Sequence, residues 1–130
     1  MSLFTRPTKT TQIILVEDDD QVREVAELVL SGAGHTVRAT ASGFEALRWM
    51  EEEPCDLLIT DLKMPEIDGP TLCTEVLARW PAGGPRIIFL SGFADAAAYG
   101  AEVSCGASVL FKPFSVEDLR AAVTRALGSI

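Results

Sequence analysis

Short apolar runs alternate with longer stretches of helical periodicity along the chain. Gln12 to Val16 (QIILV) is continuously apolar and β-branched, the pattern of a strand buried on both faces. Asp20 to Ser31 sets Val22, Val25, Ala26 and Val29 at helical spacing, with acidic residues at its start and Gly32 and Gly34 at its end. His35 to Ala39 predicts a second strand. Ser42 predicts the cap of a helix reaching about Glu52, with Phe44, Leu47 and Trp49 or Met50 turned inward. Glu45, three residues after Ser42, completes a capping-box pattern. Asp56 to Thr60 (DLLIT) predicts the third strand, followed by a loop from Asp61 to Pro70. A helix carrying Leu72, Val76 and Trp80 then ends in the Pro81 to Pro85 break. Arg86 to Leu90 (RIIFL) predicts the fourth strand and Ser108 to Phe111 the fifth. Between them, Ala94 to Ala101 is an alanine-rich helical segment interrupted by Gly100. Ser115 caps the last helix, which runs to Leu127 with Val116, Leu119, Val123 and Leu127 on one face.

Strands alternating with helices predict a parallel sheet covered on both faces. The expected class is α/β, a doubly wound (βα)5 domain with a five-stranded parallel sheet, spanning residues 12–130. Residues 1–11 are expected to form a flexible tail, with the origin of Met1-Ser2-Leu3 left open between native start and expression remnant.

In an open parallel sheet, ligands bind outside the carboxyl ends of the strands. The residues that follow the predicted first, third, fourth and fifth strands are Glu17-Asp18-Asp19-Asp20, Asp61, Ser91 and Lys112. One rim thus collects carboxylates, a hydroxyl and an amine, and only the second strand ends blandly, at Thr40. Gathered carboxylates call for a neutralising cation. An all-oxygen set suits Mg²⁺ or Mn²⁺. A metal and a lysine together can clamp a phosphoryl group in transfer. A carboxylate in line with phosphorus can act as nucleophile and form an acyl phosphate. Asp19 and Asp20 read better as helix-start residues than as ligands. His35 opens the second strand at the opposite rim and is assigned no catalytic role.

Composition narrows the partners. The net charge of -8 would repel a phosphate backbone, so direct nucleic-acid binding is not expected. No apolar run approaches the roughly 20 residues that cross a bilayer, so no membrane segment is expected. The N-terminal stretch, polar with Pro7 and Lys9, lacks a secretory apolar core, which points to a cytoplasmic protein. Cys55, Cys73 and Cys105 are odd in number and form no C-x-x-C pair, so three reduced, partly buried thiols are expected.

Val16-Glu17-Asp18, Asp61-Leu62-Lys63-Met64-Pro65 with Asp68-Gly69, Ser91-Gly92, and Lys112-Pro113-Phe114, in this order and at strand ends, resemble a response-regulator receiver domain. The resemblance covers roughly Gln12 to Gly128 and implies a flavodoxin-like receiver fold. It implies Asp61 as phospho-acceptor. Asp18 and Asp61 would be direct metal ligands with the Lys63 backbone carbonyl, and Glu17 would act through a metal-bound water. Ser91 would hydrogen-bond the phosphoryl group, Lys112 would pair with its oxygens, and the Lys112–Pro113 bond would be cis. The partner implied is a histidine kinase or a histidine phosphotransfer domain. The fourth helix, fifth strand and fifth helix would form the face that changes on phosphorylation and that could pair two copies.

Two features depart from the family's common pattern. Val109 stands three positions before Lys112, where an aromatic switch residue is usual, and the aromatic is Phe111 instead. Gly106 to Val109 is one residue shorter than the commonest form. Signalling is therefore expected to rely more on movement of the Ala94 to Ala101 segment, whose composition suggests low local stability. Lys63 and Phe93, each two residues past a site residue, are expected to restrict attacking water and slow hydrolysis of the acyl phosphate. The chain ends soon after its last helix, which suggests a stand-alone regulator or a receiver from a longer chain such as a hybrid histidine kinase. It is not expected to be an enzyme beyond its own phosphorylation and dephosphorylation. A related metal-dependent phosphatase would carry a second aspartate where Lys63 stands. A phosphorylation-independent interaction module with the same fold is the remaining alternative.

Overall fold

The computed structural model describes residues 10–99 and 107–128. The elements run β1 (Gln12–Val16), α1 (Asp20–Gly32), β2 (Thr36–Thr40), α2 (Gly43–Glu52), β3 (Leu57–Asp61), α3 (Gly69–Arg79), β4 (Arg86–Ser91), α4 (Phe93–Tyr99), β5 (Ser108–Phe111) and α5 (Val116–Leu127). The strands form one parallel sheet in the order β2-β1-β3-β4-β5. The expected doubly wound α/β class is therefore the observed one. The N-terminal tail to residue 9, and residues 100 and 101 of the alanine-rich segment, lie outside the described residues.

Strand side chains alternate between faces, and here the alternation builds two separate cores. Ile13, Leu15, Leu57, Ile59, Ile88 and Leu90 meet Ala26 and Leu30 of α1 and Leu119, Ala122 and Val123 of α5. Ile14, Val16, Leu58, Ile87 and Phe89 meet Ala46, Leu47 and Met50 of α2 and Leu72, Cys73 and Val76 of α3. Both faces are covered, which is why the strands read as continuous apolar runs.

Several boundaries differ from expectation, each for a local reason. The sheet pairing of β3 with β4 continues through Asp61↔Leu90, so Asp61 ends the strand rather than opening the loop. Likewise Ser91 pairs with Phe111 and belongs to β4. β2 runs one residue later than expected, through Thr40, which pairs with Val16. α3 starts at Gly69, because the Asp68 side chain caps it and Pro70 fits the first turn, where no N–H is needed. The inward stripe of α2 is Gly43, Ala46, Leu47 and Met50, which leaves Phe44 57% exposed. In α1, Val25 is exposed beside the buried Ala26 and Leu30. Val116 is also exposed, while Leu119 and Val123 carry the inward face of α5.

The capping box expected in α2 is half formed. Ser42 Oγ accepts from Glu45 N at 3.2 Å, but the Glu45 carboxylate binds Thr40 Oγ1 instead of Ser42 N. A complete capping box sits in α5, between Ser115 and Asp118. The cysteines also need correction. Cys55 is free and partly buried, whereas Cys73 is disulfide-bonded.

Candidate functional site

The sheet order places a topological switch between β1 and β3, since the chain leaves β1 for β2 on one side and returns to β3 on the other. The crevice at such a switch opens beyond the carboxyl ends of the two strands. Val16 pairs with Thr60, so the next residues, Glu17 and Asp61, come to lie side by side above it.

Glu17 is fully buried and tied down through its backbone and side chain. Its N–H donates to Thr40 O at 3.0 Å, and its carbonyl accepts from Arg23 Nη1 at 2.9 Å. Its Oε2 accepts from Asp19 N at 3.0 Å, and its Oε1 lies 2.9 Å from Lys112 Nζ. Asp18 is exposed at the mouth of the crevice. Asp19 caps α1 by accepting from Gln21 N and Val22 N, in agreement with a helix-start role. Thr40, which seemed a bland strand end, thus supplies the carbonyl that anchors Glu17.

Asp61 is 3% exposed, and its Oδ1 lies 2.7 Å from Lys112 Nζ. Beyond that ion pair, Oδ2 has no hydrogen-bond partner among the described residues. Burial pushes the carboxyl up to about 9, the adjoining Glu17 carboxyl adds to this, and Lys112 opposes it. For Lys112 burial acts against the charge, but the paired carboxylates outweigh it and raise its pKa.

The loop after Asp61 is built around close backbone packing. A Cβ on Gly69 would lie 2.3 Å from Asp61 O and 3.1 Å from Leu62 Cα. Only glycine lets the start of α3 pass beneath the aspartate, where Gly69 N donates to Leu62 O at 2.8 Å. Glu66 takes a left-handed φ of 70° at the turn of this loop.

Ser91 is buried one position beyond Leu90, the strand partner of Asp61, and its hydroxyl donates to Gly92 O at 2.8 Å. Lys112 N donates to Ser91 O at 2.8 Å, so the two residues share one rim through the backbone. The Lys112–Pro113 peptide is cis. Lys63 is exposed on the loop, two residues past Asp61. Phe93 is 73% exposed and stacks on Phe111, with ring centroids 4.3 Å apart and 15° between planes. The structure thus gathers Glu17, Asp61 and Lys112 into direct contact, with Asp18 beside them. Two contacts are not foreseen from the sequence: that of Arg23 with the Glu17 carbonyl, and the stacking of Phe93 on Phe111.

Glu17, Asp18 and Asp61 each offer a carboxylate oxygen, all within 4.8 Å of one another. Three convergent oxygens, one of them on a buried aspartate whose Oδ2 has no hydrogen-bond partner among the described residues, fit a hard divalent cation. Among the described residues no helix is long and apolar enough to cross a membrane.

The family model described as the response regulator receiver domain matches residues 13–124. The chain is 41% identical over 118 residues to the sensor kinase CckA of Brucella abortus (strain 2308), covering 88% of this chain and 12% of that protein. It is 37% identical over 109 residues to the response regulator receiver protein CpdR of the same organism, covering 83% of this chain and 89% of that one. A putative response regulator from Chloroflexus aurantiacus J-10-fl superposes with a TM-score of 0.84 at 39% identity, covering 93% of this chain and 100% of that chain. The receiver domain of the hybrid histidine kinase CckA superposes with a TM-score of 0.74 at 38% identity, covering 89% and 98%. With motifs, topology and site in agreement, the chain belongs to the response regulator receiver domain family.

Proposed function

We propose that this chain accepts a phosphoryl group on Asp61 from a phosphohistidine of a histidine kinase or histidine phosphotransfer domain, in a Mg²⁺-dependent reaction in the cytoplasm. The observation that carries the reading is the placement of Asp61, buried at a strand end between the acidic pair and Lys112, with Oδ2 lacking a donor. An Asp61 carboxylate oxygen attacks phosphorus, the phosphorus–nitrogen bond of the donor breaks, and the electron pair returns to the imidazole. Lys112 neutralises the oxygens of the arriving group. Ser91 turns its hydroxyl from the Gly92 carbonyl to a phosphoryl oxygen. Asp18, Asp61 and the Lys63 carbonyl would hold a Mg²⁺ ion, with Glu17 acting through water, and the ion would supply charge neutralisation. Phosphorylation and dephosphorylation at Asp61 are the domain's only chemistry in this reading.

The surface supports two partner contacts. A largely apolar groove of about 520 Å³, lined by Gln21, Val22, Val25, Lys112, Pro113 and Phe114, adjoins the site and offers the donor a seat. Phe93, Phe111 and Val116 are exposed at the site ends of α4, β5 and α5, where a changed face would be read by an output partner or a second copy. The similarity to both CpdR and the CckA receiver accommodates either a stand-alone regulator or a module of a hybrid kinase.

The test is intact-protein mass after incubation with Mg²⁺ and acetyl phosphate, with wild type and Asp61→Asn in parallel. The expected result is a gain of one phosphoryl group in wild type alone, abolished by chelation. No gain under any condition would replace this reading with an inert interaction module.

A further inference from the structure

Arg23 lies in the first turn of α1, five residues after Asp18, with its side chain 24% exposed. Its Nη1 donates to the Glu17 carbonyl at 2.9 Å, and its Nη2 binds Asp20 Oδ1 at 2.7 Å. The Glu17 carbonyl belongs to the peptide that joins Glu17 to Asp18. A peptide is planar, so holding its oxygen fixes the rotation of the whole unit and the direction in which Asp18 leaves the chain. The flanking groups are already anchored: Glu17 N on Thr40 O, Asp19 N on Glu17 Oε2, and the Asp19 side chain on the start of α1. The Glu17–Asp18 peptide is the remaining joint, and a planar guanidinium that reaches two acceptors at once is suited to lock it.

We infer that Arg23 is a positioning residue for metal binding, holding the Asp18 carboxylate in place through the backbone rather than by contact with the ion. The inference rests on the metal-dependent reading above. Its sign separates it from a simple charge effect. A guanidinium near the acidic cluster repels a divalent cation, so loss of its charge alone would tighten Mg²⁺ binding. Loss of positioning weakens it.

Mg²⁺ affinity measured by calorimetry on wild type, Arg23→Met and Arg23→Lys decides between them, with metal-free melting curves to verify folding. The expected result is about tenfold weaker Mg²⁺ binding in Arg23→Met, the lower end of the usual cost of losing a supporting contact behind a metal ligand. Arg23→Lys keeps the charge, loses the fork and shifts in the same direction. In both variants, added Mg²⁺ recovers the phosphorylation rate lost at low Mg²⁺. Affinity equal to or tighter than wild type in a folded variant overturns the inference. If Arg23→Met does not fold, Arg23→Lys alone decides. Wild type that fails to bind Mg²⁺ overturns the metal-dependent reading itself, an outcome distinct from a variant that binds like wild type.

Discussion

Lys112 Nζ lies 2.7 Å from Asp61 Oδ1 and, on its other side, 2.9 Å from Glu17 Oε1. One ammonium therefore bridges the two buried carboxyls. Lys112→Met should slow phosphorylation by small donors on the order of 100-fold, the usual cost of removing a preorganised charge partner. It should also make the fold more dependent on metal, because a divalent cation becomes the remaining neutralising charge. Thermal melts with and without Mg²⁺ test this: the Mg²⁺-induced rise in Tm should be larger in Lys112→Met than in wild type. An equal rise would remove the bridge from the account.

The acidity of Asp61 gives a pH dependence with a definite sign. Its native pKa of about 9 lies well above that of an unfolded aspartate. In the metal-free protein the native state keeps a proton that the unfolded chain has released. Stability from this group is present at low pH and is lost as pH rises toward about 9. Metal-free wild type should lose Tm between about pH 6 and about pH 8.5, and Asp61→Asn should flatten that slope. Metal binding requires the ionised carboxylate, so Mg²⁺ affinity should rise over the same interval with proton release. Parallel slopes for wild type and Asp61→Asn would assign the pH dependence to other groups.

The chemistry-bearing strand ends were legible because apolar runs stop where the buried sheet stops, and the residues that follow must line the rim. Glu17, Asp18, Asp61 and Lys112 were all placed by that logic. Positions one residue either side of a boundary were not, since pairing such as Asp61↔Leu90 depends on the neighbouring strand. Contacts made across the fold were also invisible. Nothing in the local sequence shows that Arg23 reaches the Glu17 carbonyl or that Thr40 O anchors Glu17 N. Phe44 was misjudged because helical spacing alone does not fix which stripe faces the sheet, and Gly43, one position earlier, takes the buried place.

The exposed Phe93 ring and Phe111, which directly precedes Lys112, form a stack that ties the start of α4 to the end of β5. A double-mutant cycle on Phe93→Ala and Phe111→Ala should give a coupling of about 0.5–1.5 kcal/mol in unfolding experiments. If the stack also restricts water at the site, Phe93→Ala should shorten the lifetime of the acyl phosphate, and Lys63→Ala should do so independently. The lifetimes are read from loss of the phosphoryl mass after donor removal. Lifetimes unchanged in both variants would leave the stack a purely structural contact.

Gly69 offers the sharpest test of how the loop holds Asp61. Its added Cβ would meet Asp61 O at 2.3 Å and Leu62 Cα at 3.1 Å, both backbone atoms that cannot rotate away. At Gly43 the corresponding atom is Ile67 Cγ2 at 2.6 Å, a side-chain methyl of a loop residue rather than backbone of the site. The two substitutions to alanine therefore differ in what must yield. Gly69→Ala should cost roughly 3 kcal/mol, at the upper end for overpacking, and should reduce phosphorylation even where the protein remains folded, since relief requires moving the Asp61–Leu62 backbone. Gly43→Ala should cost about 1 kcal/mol and leave the site largely intact. Urea unfolding together with phosphorylation rates at equal folded fraction measures both effects. If the two variants proved equally stable and equally reactive, close backbone packing at Gly69 would not be what positions the aspartate.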